Sequence, residues 1–458
     1  MRVALVTDYY LPTLGGVQTA VKSLAESLAA ASHTVTVFCP LHPEDREAVI
    51  AQAARSGVEV VALPVSPVFR PDGFPFTWPP RRAHRMLVAA FARRRIEVVH
   101  THSEMFAALA GITAARTRGI PVVHTMHGRI DVYTAHVLPV PAVTTHLLAA
   151  LHARHVDRSG LRVPADEPYT RTPHARAMWR LMAAQSRAAA HVVVPSAHFA
   201  RKLEGLGVDT PLSVVSNGLE ASVLAEIGTP PVRRPDQGSF ESSFEGGSAF
   251  EGGRTLRALW VGRLSPEKRP EVFATALRAV SGSRVGESSA AEAPWTGDMY
   301  GAGMSRGRVE SIDSPVRLHG AVPQSEVLAA MREADVLVST SLDFDNQPMV
   351  FLESIASGLP VVHTDPDLAE VLPDGGAFLT RTPDWHGVSQ MLTALASDPR
   401  HLARASEVMT AHRDTVAQTI DPIVDIYRAV VGNDSVGEGA RPQTIPGATW
   451  RTPDASIW

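Results

Sequence analysis

Leu256-Arg257-Ala258-Leu259-Trp260-Val261-Gly262-Arg263-Leu264-Ser265-Pro266-Glu267-Lys268 is the stretch that decides the fold. Five of its first six residues are apolar, which suits a strand buried on both faces of a parallel sheet. Gly262 ends the run, and the apolar residues from Pro266 to Val280 recur at helical spacing, so a helix is expected over Pro266–Val280. Strand, short loop and helix make half of a βαβ unit. The loop sets Arg263 and Lys268 five residues apart at the carboxyl edge of that strand. Arginine offers a planar fork and lysine a point charge, together suited to a diphosphate. The bland alternative is an exposed loop with ordinary surface charges. Against it, the chain holds 40 Arg and only three Lys, so a lysine retained at that edge weighs toward function.

The same alternation runs outward on both sides. Upstream, strands are expected at Arg2–Thr7, His33–Phe38, Val58–Leu63, Ile96–His100, Pro121–Thr125, His191–Pro195 and Leu212–Val215. Helical patterns separate them, Val17–Ala30 first, and residues 135–190 form a long, mostly helical stretch rich in Arg, His and Ala. Downstream, strands are expected at Val316–Leu318, Val336–Ser339, Pro360–His363 and Ala377–Leu379, with helices at Ser325–Arg332, Pro348–Ser357 and Leu402–Val431. The fold class is therefore α/β, two Rossmann-like parallel-sheet domains expected to face each other across a cleft, with ligands beyond the carboxyl ends of the strands. The first domain is expected over 1–218, closing on the turn signal Asn217-Gly218, and the second over 219–404. Helices over 405–431 are expected to cross back to the first domain, leaving 432–458 as a disordered tail. Two insertions interrupt the second domain: 230–253, with Phe-Glu repeats beginning at Phe240, Phe244 and Phe250, and 281–294.

Composition excludes several classes. At 458 residues, 45% hydrophobic and 20% charged, the chain is neither disordered nor a coiled coil. Apolar runs such as Val58–Val65 fall short of the roughly 18–20 residues a membrane span needs. Asp8 stands too early for a secretory signal. A single cysteine, Cys39, excludes an internal disulfide and a multi-cysteine metal site, and a reducing cytoplasm is the expected location. Charge divides by halves: residues 1–218 carry 23 Lys and Arg against 15 Asp and Glu, net +8, while residues 219–458 carry 20 against 32, net −12. Arg81–Arg95 concentrates this, with six Arg, no acid, and an apolar stripe of Met86, Leu87, Ala90 and Phe91. Such a helix either meets an anionic membrane through Arg81, Arg82 and Arg85, or packs with a solvated basic face.

Other residues carry candidate chemistry. Gly15-Gly16 precedes a helix, where backbone N–H groups approach an anion; a plain tight turn explains it as well. Asp345-Asn346-Gln347 leads into a helix that carries Glu353, so two carboxylates eight residues apart would converge on one ligand, as on a ribose diol. A capping acid and a solvated Glu is the alternative, and it leaves Glu353 among Val350, Leu352, Ile355 and Ala356 unexplained. His127-Gly128 follows an expected strand, and spacing leaves it balanced between a substrate contact and a packed histidine. Gly301–Gly307 is rejected as a dinucleotide fingerprint, because a good apolar strand does not precede it and the acid such a fingerprint needs is missing. Walker, zincin and Gly-x-Ser-x-Gly motifs are absent.

Together these segments resemble glycosyltransferase family 4, the retaining nucleotide-sugar enzymes of GT-B fold, over Arg2 to about Val431. The most specific parts are Val261–Lys268 and Val316–Val362, joined by Pro195-Ser196 and Asn217-Gly218. The resemblance implies that Gly15 and Gly16 approach the donor phosphate, that Arg263 and Lys268 hold the diphosphate, and that Glu353 binds the ribose. Asp345 would be the first acid of the family's Glu-seven-residues-Glu motif, with Asn346 and Gln347 beside the donor, and His127 would contact the donor sugar near the reacting carbon. The departures are Asp345 in place of Glu, Gln347-Pro348 in place of Phe-Gly, and Met304 in place of Pro. His124–His136 is similar to the branch that glycosylates diacylglycerol lipids, which makes Asp131 and Tyr133 acceptor candidates; Thr125-Met126-His127 also matches a nucleotide-inositol-phosphate branch. The implied reaction moves a hexose, of glucose or mannose type, from a nucleoside diphosphate sugar to a hydroxyl with retention, and needs neither metal nor other cofactor. The acceptor would be a membrane glycolipid or a small polyol such as an inositol phosphate, reached in the cytoplasm or peripherally on the inner membrane face. Nucleic acid is not an expected partner. The rivals are a sugar-nucleotide epimerase of the same fold and a non-catalytic partner of a membrane complex.

Overall fold

The computed structural model describes residues 1–12, 15–70, 73–138, 140–232, 255–282 and 294–432. The Phe-Glu repeats, the residues 283–293 and the tail beyond Gly432 lie outside the described residues. The chain divides into two units, the first holding Met1–Gly218 and resuming at Gln418, the second Leu219–Ala417. The return therefore falls at Gln418, not at residue 405. The helical stretch expected over Leu402–Val431 is two α-helices, Arg400–Ala411 in the second unit and Asp421–Gly432 in the first. Pro422 fits the start of the latter, since proline is tolerated in a first turn but not in a helix interior.

The first unit is one parallel sheet of seven strands: β1 (Arg2–Val6), β2 (Thr34–Pro40), β3 (Glu59–Leu63), β4 (Val98–Thr101), β5 (Val122–Thr125), β6 (His191–Val194) and β7 (Leu212–Val214). Their order is β3-β2-β1-β4-β5-β6-β7. Val3, Ala4, Leu5 and Val6 are fully buried, as a sheet covered on both faces requires. Ile423, Val424, Ile426 and Tyr427 of the returning helix join the core around Val3, Leu5 and Val21. The Tyr427 hydroxyl lies 2.6 Å from His100 Nδ1, 327 residues away in sequence.

The second unit is a parallel sheet of six: β8 (Leu256–Val261), β9 (Trp295–Tyr300), β10 (Val316–Gly320), β11 (Val336–Ser339), β12 (Val361–His363) and β13 (Ala377–Leu379), in the order β10-β9-β8-β11-β12-β13. Strand β9 was not expected from the sequence. Its Gly297 and Asp298 dilute the apolar signal, yet both are buried. A Cβ at Gly297 would sit 2.4 Å from Leu277, so glycine lets the helix Pro270–Gly282 lie close on the sheet. In both sheets the strand order reverses at one place, between β1 and β4 and between β8 and β11. Ligands of open parallel sheets bind beyond the strand ends at such a reversal.

Candidate functional site

The loops after β8 and β11 meet at the second sheet's reversal point. The helix expected from Pro266 begins instead with a short 3₁₀ turn, Pro266–Lys268, and the α-helix starts at Pro270. Arg269 between them is left-handed at φ 52°, consistent with proline disfavouring the helical conformation in the residue before it. Lys268 thus sits in a tight turn pinned from β11: the Thr340 hydroxyl donates to the Lys268 carbonyl at 2.7 Å, and Trp260 Nε1 donates to Thr340 Oγ1 at 3.0 Å. Lys268 Nζ donates to both Asp345 oxygens, at 2.6 and 2.7 Å, with the Phe344 ring centroid 5.4 Å away. Arg263 donates to Glu267 at 3.3 Å, and Ser265 donates to the same oxygen at 2.7 Å. A small open depression is lined here by Trp260, Lys268, Thr340, Asp345, Pro348 and Val350.

The loop Asp343–Gln347 is held from below. Asp343 is left-handed at φ 51°, and its N–H donates to the buried Asp365 carboxylate at 2.6 Å. Burial pushes Asp365 up to about 6. Asn346 is buried with its Nδ2 lacking a partner among the described residues. Pro348, expected as the first helical residue, is the cap of the helix Met349–Ala356, which starts one residue later. Glu353 on that helix is buried and accepts from Gln324 Nε2 at 2.6 Å; burial raises its carboxyl above the usual range. Glu353 is therefore a sequestered acid, as its apolar neighbours implied.

Gly301 earns a different role from the one rejected above. It directly follows β9, so the premise that no strand precedes it is corrected. Its φ is 138°, and a Cβ there would lie 1.8 Å from the Gly262 carbonyl oxygen. The close approach lets Gly262 donate to Tyr300 at 3.0 Å and Leu264 to Ala302 at 2.9 Å, which fixes the loop carrying Arg263.

In the first unit Gly15 caps the helix Gly16–Ala30 with extended backbone that any residue adopts; its missing Cβ avoids only the Gln18 side chain. His127 is half-buried past β5, its Nε2 3.1 Å from His102 Nδ1 and its ring stacked on His102 at 5.3 Å. Burial, then the His124 charge, lowers His127 to about 3. Asp131, an acceptor candidate, is buried. Both of its oxygens accept from Arg129, at 3.1 and 2.6 Å, and the pair is buried, so this carboxylate anchors Arg129. Tyr133 stands edge-on to Tyr9 with centroids 6.1 Å apart. Sequence reasoning missed Asp8, His102 and Glu104, all buried at the ends of β1 and β4. With 19 His in the chain, only the strand order could have singled out His102.

The helix Pro80–Arg94 buries Ala83, Leu87, Ala90 and Phe91, so its apolar stripe is used in the core and not offered to a membrane. Arg81, Arg82 and Arg85 are exposed. Apolar exposure lies elsewhere, at Val140, Val143 and Leu147 on and beside the helix Pro141–His152, each more than half exposed. Among the described residues no helix is long and apolar enough to cross a membrane, and no three His, Cys, Asp or Glu are grouped to hold a metal ion.

Two parallel-sheet, Rossmann-like units, one with paired cations and acids where its strand order reverses, define a GT-B architecture. HepE of Anabaena, solved with UDP and glucose, has the same fold at a TM-score of 0.58 and 13% identity, over 95% of this chain and 100% of that one. Residues 14–223 match the model of Glycosyltransferase Family 4 and residues 255–398 that of Glycosyl transferases group 1. The chain is a glycosyltransferase of family 4, GT-B type. It is 24% identical to the alpha-monoglucosyldiacylglycerol synthase of Streptococcus pneumoniae over 87% of this chain and 79% of that protein. It is 26% identical to the phosphatidyl-myo-inositol mannosyltransferase of Mycolicibacterium smegmatis over 94% of this chain and 95% of that protein.

Proposed function

We propose that this glycosyltransferase moves a hexosyl group from a nucleoside diphosphate sugar to a hydroxyl of a membrane glycolipid acceptor, with retention. The observation that carries the donor half is the meeting of Arg263, Lys268, Asp345 and Glu353 around one strand-order reversal. Lys268 has three N–H donors and gives two to Asp345, which leaves one for a phosphate oxygen. As the sugar–phosphate bond breaks, negative charge grows on the diphosphate. Arg263, Lys268 and the first N–H groups of the helix Met349–Ala356 would meet it without a metal ion. The leaving phosphate would accept the acceptor's proton while the acceptor oxygen bonds to the same face of the sugar. In this reading Glu353 takes the ribose diol, Asp345, Asn346 and Gln347 line the sugar, Gly15 and Gly16 approach a donor phosphate, and His127 meets the sugar beside the reacting carbon.

A lipid acceptor is supported by the relatives' names, by the net +8 of residues 1–218, and by exposed Arg81, Arg82 and Arg85 alongside exposed Val140, Val143 and Leu147. The phosphatidyl-myo-inositol relative keeps an inositol-bearing acceptor as the second reading. The deciding experiment is a thermal-shift panel of UDP-, GDP- and ADP-sugars, since a ligand of the native state raises stability by mass action. One nucleotide class should stand out. No shift with any of them at millimolar concentration would overturn the donor assignment. Product analysis with donor but no acceptor separates transfer from epimerisation.

A further inference from the structure

The loop between β4 and the helix Phe106–Arg118 carries three polar side chains in a row, His102, Ser103 and Glu104. It lies beside β1, where the first sheet's order reverses. Asp8, at the end of β1, is fully engaged. It accepts from the Ser103 hydroxyl at 2.6 Å and from the N–H groups of Ala107 and Ala108 at 2.7 and 3.2 Å. That acid caps the helix and fixes the loop. Its two neighbours differ. His102 is 2% exposed, and while its Nδ1 meets His127, its buried Nε2 has no partner among the described residues. Glu104 is 7% exposed, and its buried Oε1 likewise has no partner among the described residues. Native interiors seldom leave buried polar atoms unpaired, and this four-residue loop leaves two at the edge where ligands of such sheets bind.

We propose that His102 Nε2 and Glu104 Oε1 form a subsite for neutral hydroxyl groups of the acceptor, next to the hydroxyl that reacts. The proposal rests on the transfer reading above. Burial lowers His102 well below the usual imidazole range, and burial followed by the Asp8 charge raises Glu104 to about 8. Both groups are thus neutral near pH 7. A carboxylic acid and an imidazole offer one donor and one or more acceptors, the complement of a diol. Neither offers the fixed charge that a phosphate or an ammonium group would demand. The contact of His102 with His127 ties this subsite to the residue assigned to the donor sugar.

The test uses the full chain with the donor that the thermal-shift panel selects. Acceptors are vesicles containing glucosyl-dioleoylglycerol or, separately, phosphatidylinositol, in each of which the reacting hydroxyl has neutral hydroxyl neighbours. Glu104→Ala and His102→Ala should raise the acceptor KM at least tenfold, while the nucleotide thermal shift stays unchanged. Glu104→Gln, neutral with a donor and an acceptor, should bring the acceptor KM back to within threefold of wild type. A purely space-filling Glu104 would lower Tm without this KM split, and that result overturns the proposal. So does an acceptor KM that is unmoved in both alanine variants. A second readout does not need turnover: the His102 ring signal in the NMR spectrum should shift when octanoylglycerol, octyl glucoside or myo-inositol is added. No shift with any of the three overturns the subsite, whereas a missing nucleotide shift in the same sample overturns the donor reading instead.

Discussion

Replacing Lys268 with alanine removes a cation held 2.6 and 2.7 Å from the two Asp345 oxygens, in a pair whose side chains are 21% and 13% exposed. Two unit charges roughly 3 Å apart interact by about 5 kcal/mol at an effective dielectric near 20. Because Asp345 already takes two of the three N–H donors, about half of that, roughly 2–3 kcal/mol, is available to the leaving diphosphate. At about 1.4 kcal/mol per decade this predicts a loss of roughly 10²-fold in turnover, within the scale seen when one transition-state charge donor is removed. The variant also strands the Asp345 carboxylate. That costs stability by about 1–2 kcal/mol, between the exposed and fully buried limits, or a Tm lower by about 2–8 °C for a unit of this size. Initial rates below the shifted Tm, with circular dichroism to confirm folding, separate the two effects. Arg263→Ala is expected to lose turnover on the same scale with a smaller change in Tm, since its contact with Glu267 is half-exposed and longer, 3.3 Å. Turnover within twofold of wild type for both variants would refute the diphosphate assignment.

Activity should survive EDTA, because Lys268 already engages both oxygens of Asp345 in the one near match to an acid-x-acid metal motif, Asp343-Phe344-Asp345; loss restored by Mg²⁺ or Mn²⁺ would reverse this. The protein should float with anionic vesicles and not with neutral ones, each engaged Arg contributing about 1 kcal/mol, and the binding should weaken as salt rises. Replacing Arg81, Arg82 and Arg85 with Gln should reduce flotation without changing nucleotide affinity, and indifference of the wild type to anionic vesicles at low salt would remove this support for a lipid acceptor. Burial lowers His124, His152 and His363 to about 4 in the fold. The unfolded chain then binds more protons, so the stability they contribute is present above pH 6.5 and lost as pH falls from 6.5 through 4. A Tm that is flat across that window would contradict their buried, neutral state. Glu104 runs the other way: its contribution is full below pH 4.5 and is lost as pH rises from 4.5 to about 8, so Glu104→Gln should remove that downward slope from the Tm profile between pH 4.5 and 8.

Local pattern alone determined the α/β class, two parallel sheets, most strands to within two residues, and the two loops that carry Arg263, Lys268, Asp345 and Glu353. These follow from periodicity and from charged residues standing at strand ends, both of which are properties of short windows. Strand β9 escaped because Gly297 and Asp298 are chosen for close approach and side-chain bonding, which weakens the apolar pattern that marks a strand. The apolar spacing over Leu402–Val431 continues through the break between Ala411 and Asp421, where Pro422 opens a new helix, and the tertiary structure places the two helices in different units. Tertiary structure alone decided the partners. Lys268 and Asp345 pair across 77 residues, Asp131 is neutralised by Arg129, and the apolar stripe beside Arg81, Arg82 and Arg85 is consumed by the core. Likewise, nothing in the residue types of His102 and Glu104 sets them apart from Asp8. What separates them is that the fold satisfies every oxygen of one and leaves an atom of each of the others unpaired. Sequence specifies which groups a segment owns, but burial and hydrogen bonding are relations between segments far apart in the chain, and strand order settles those.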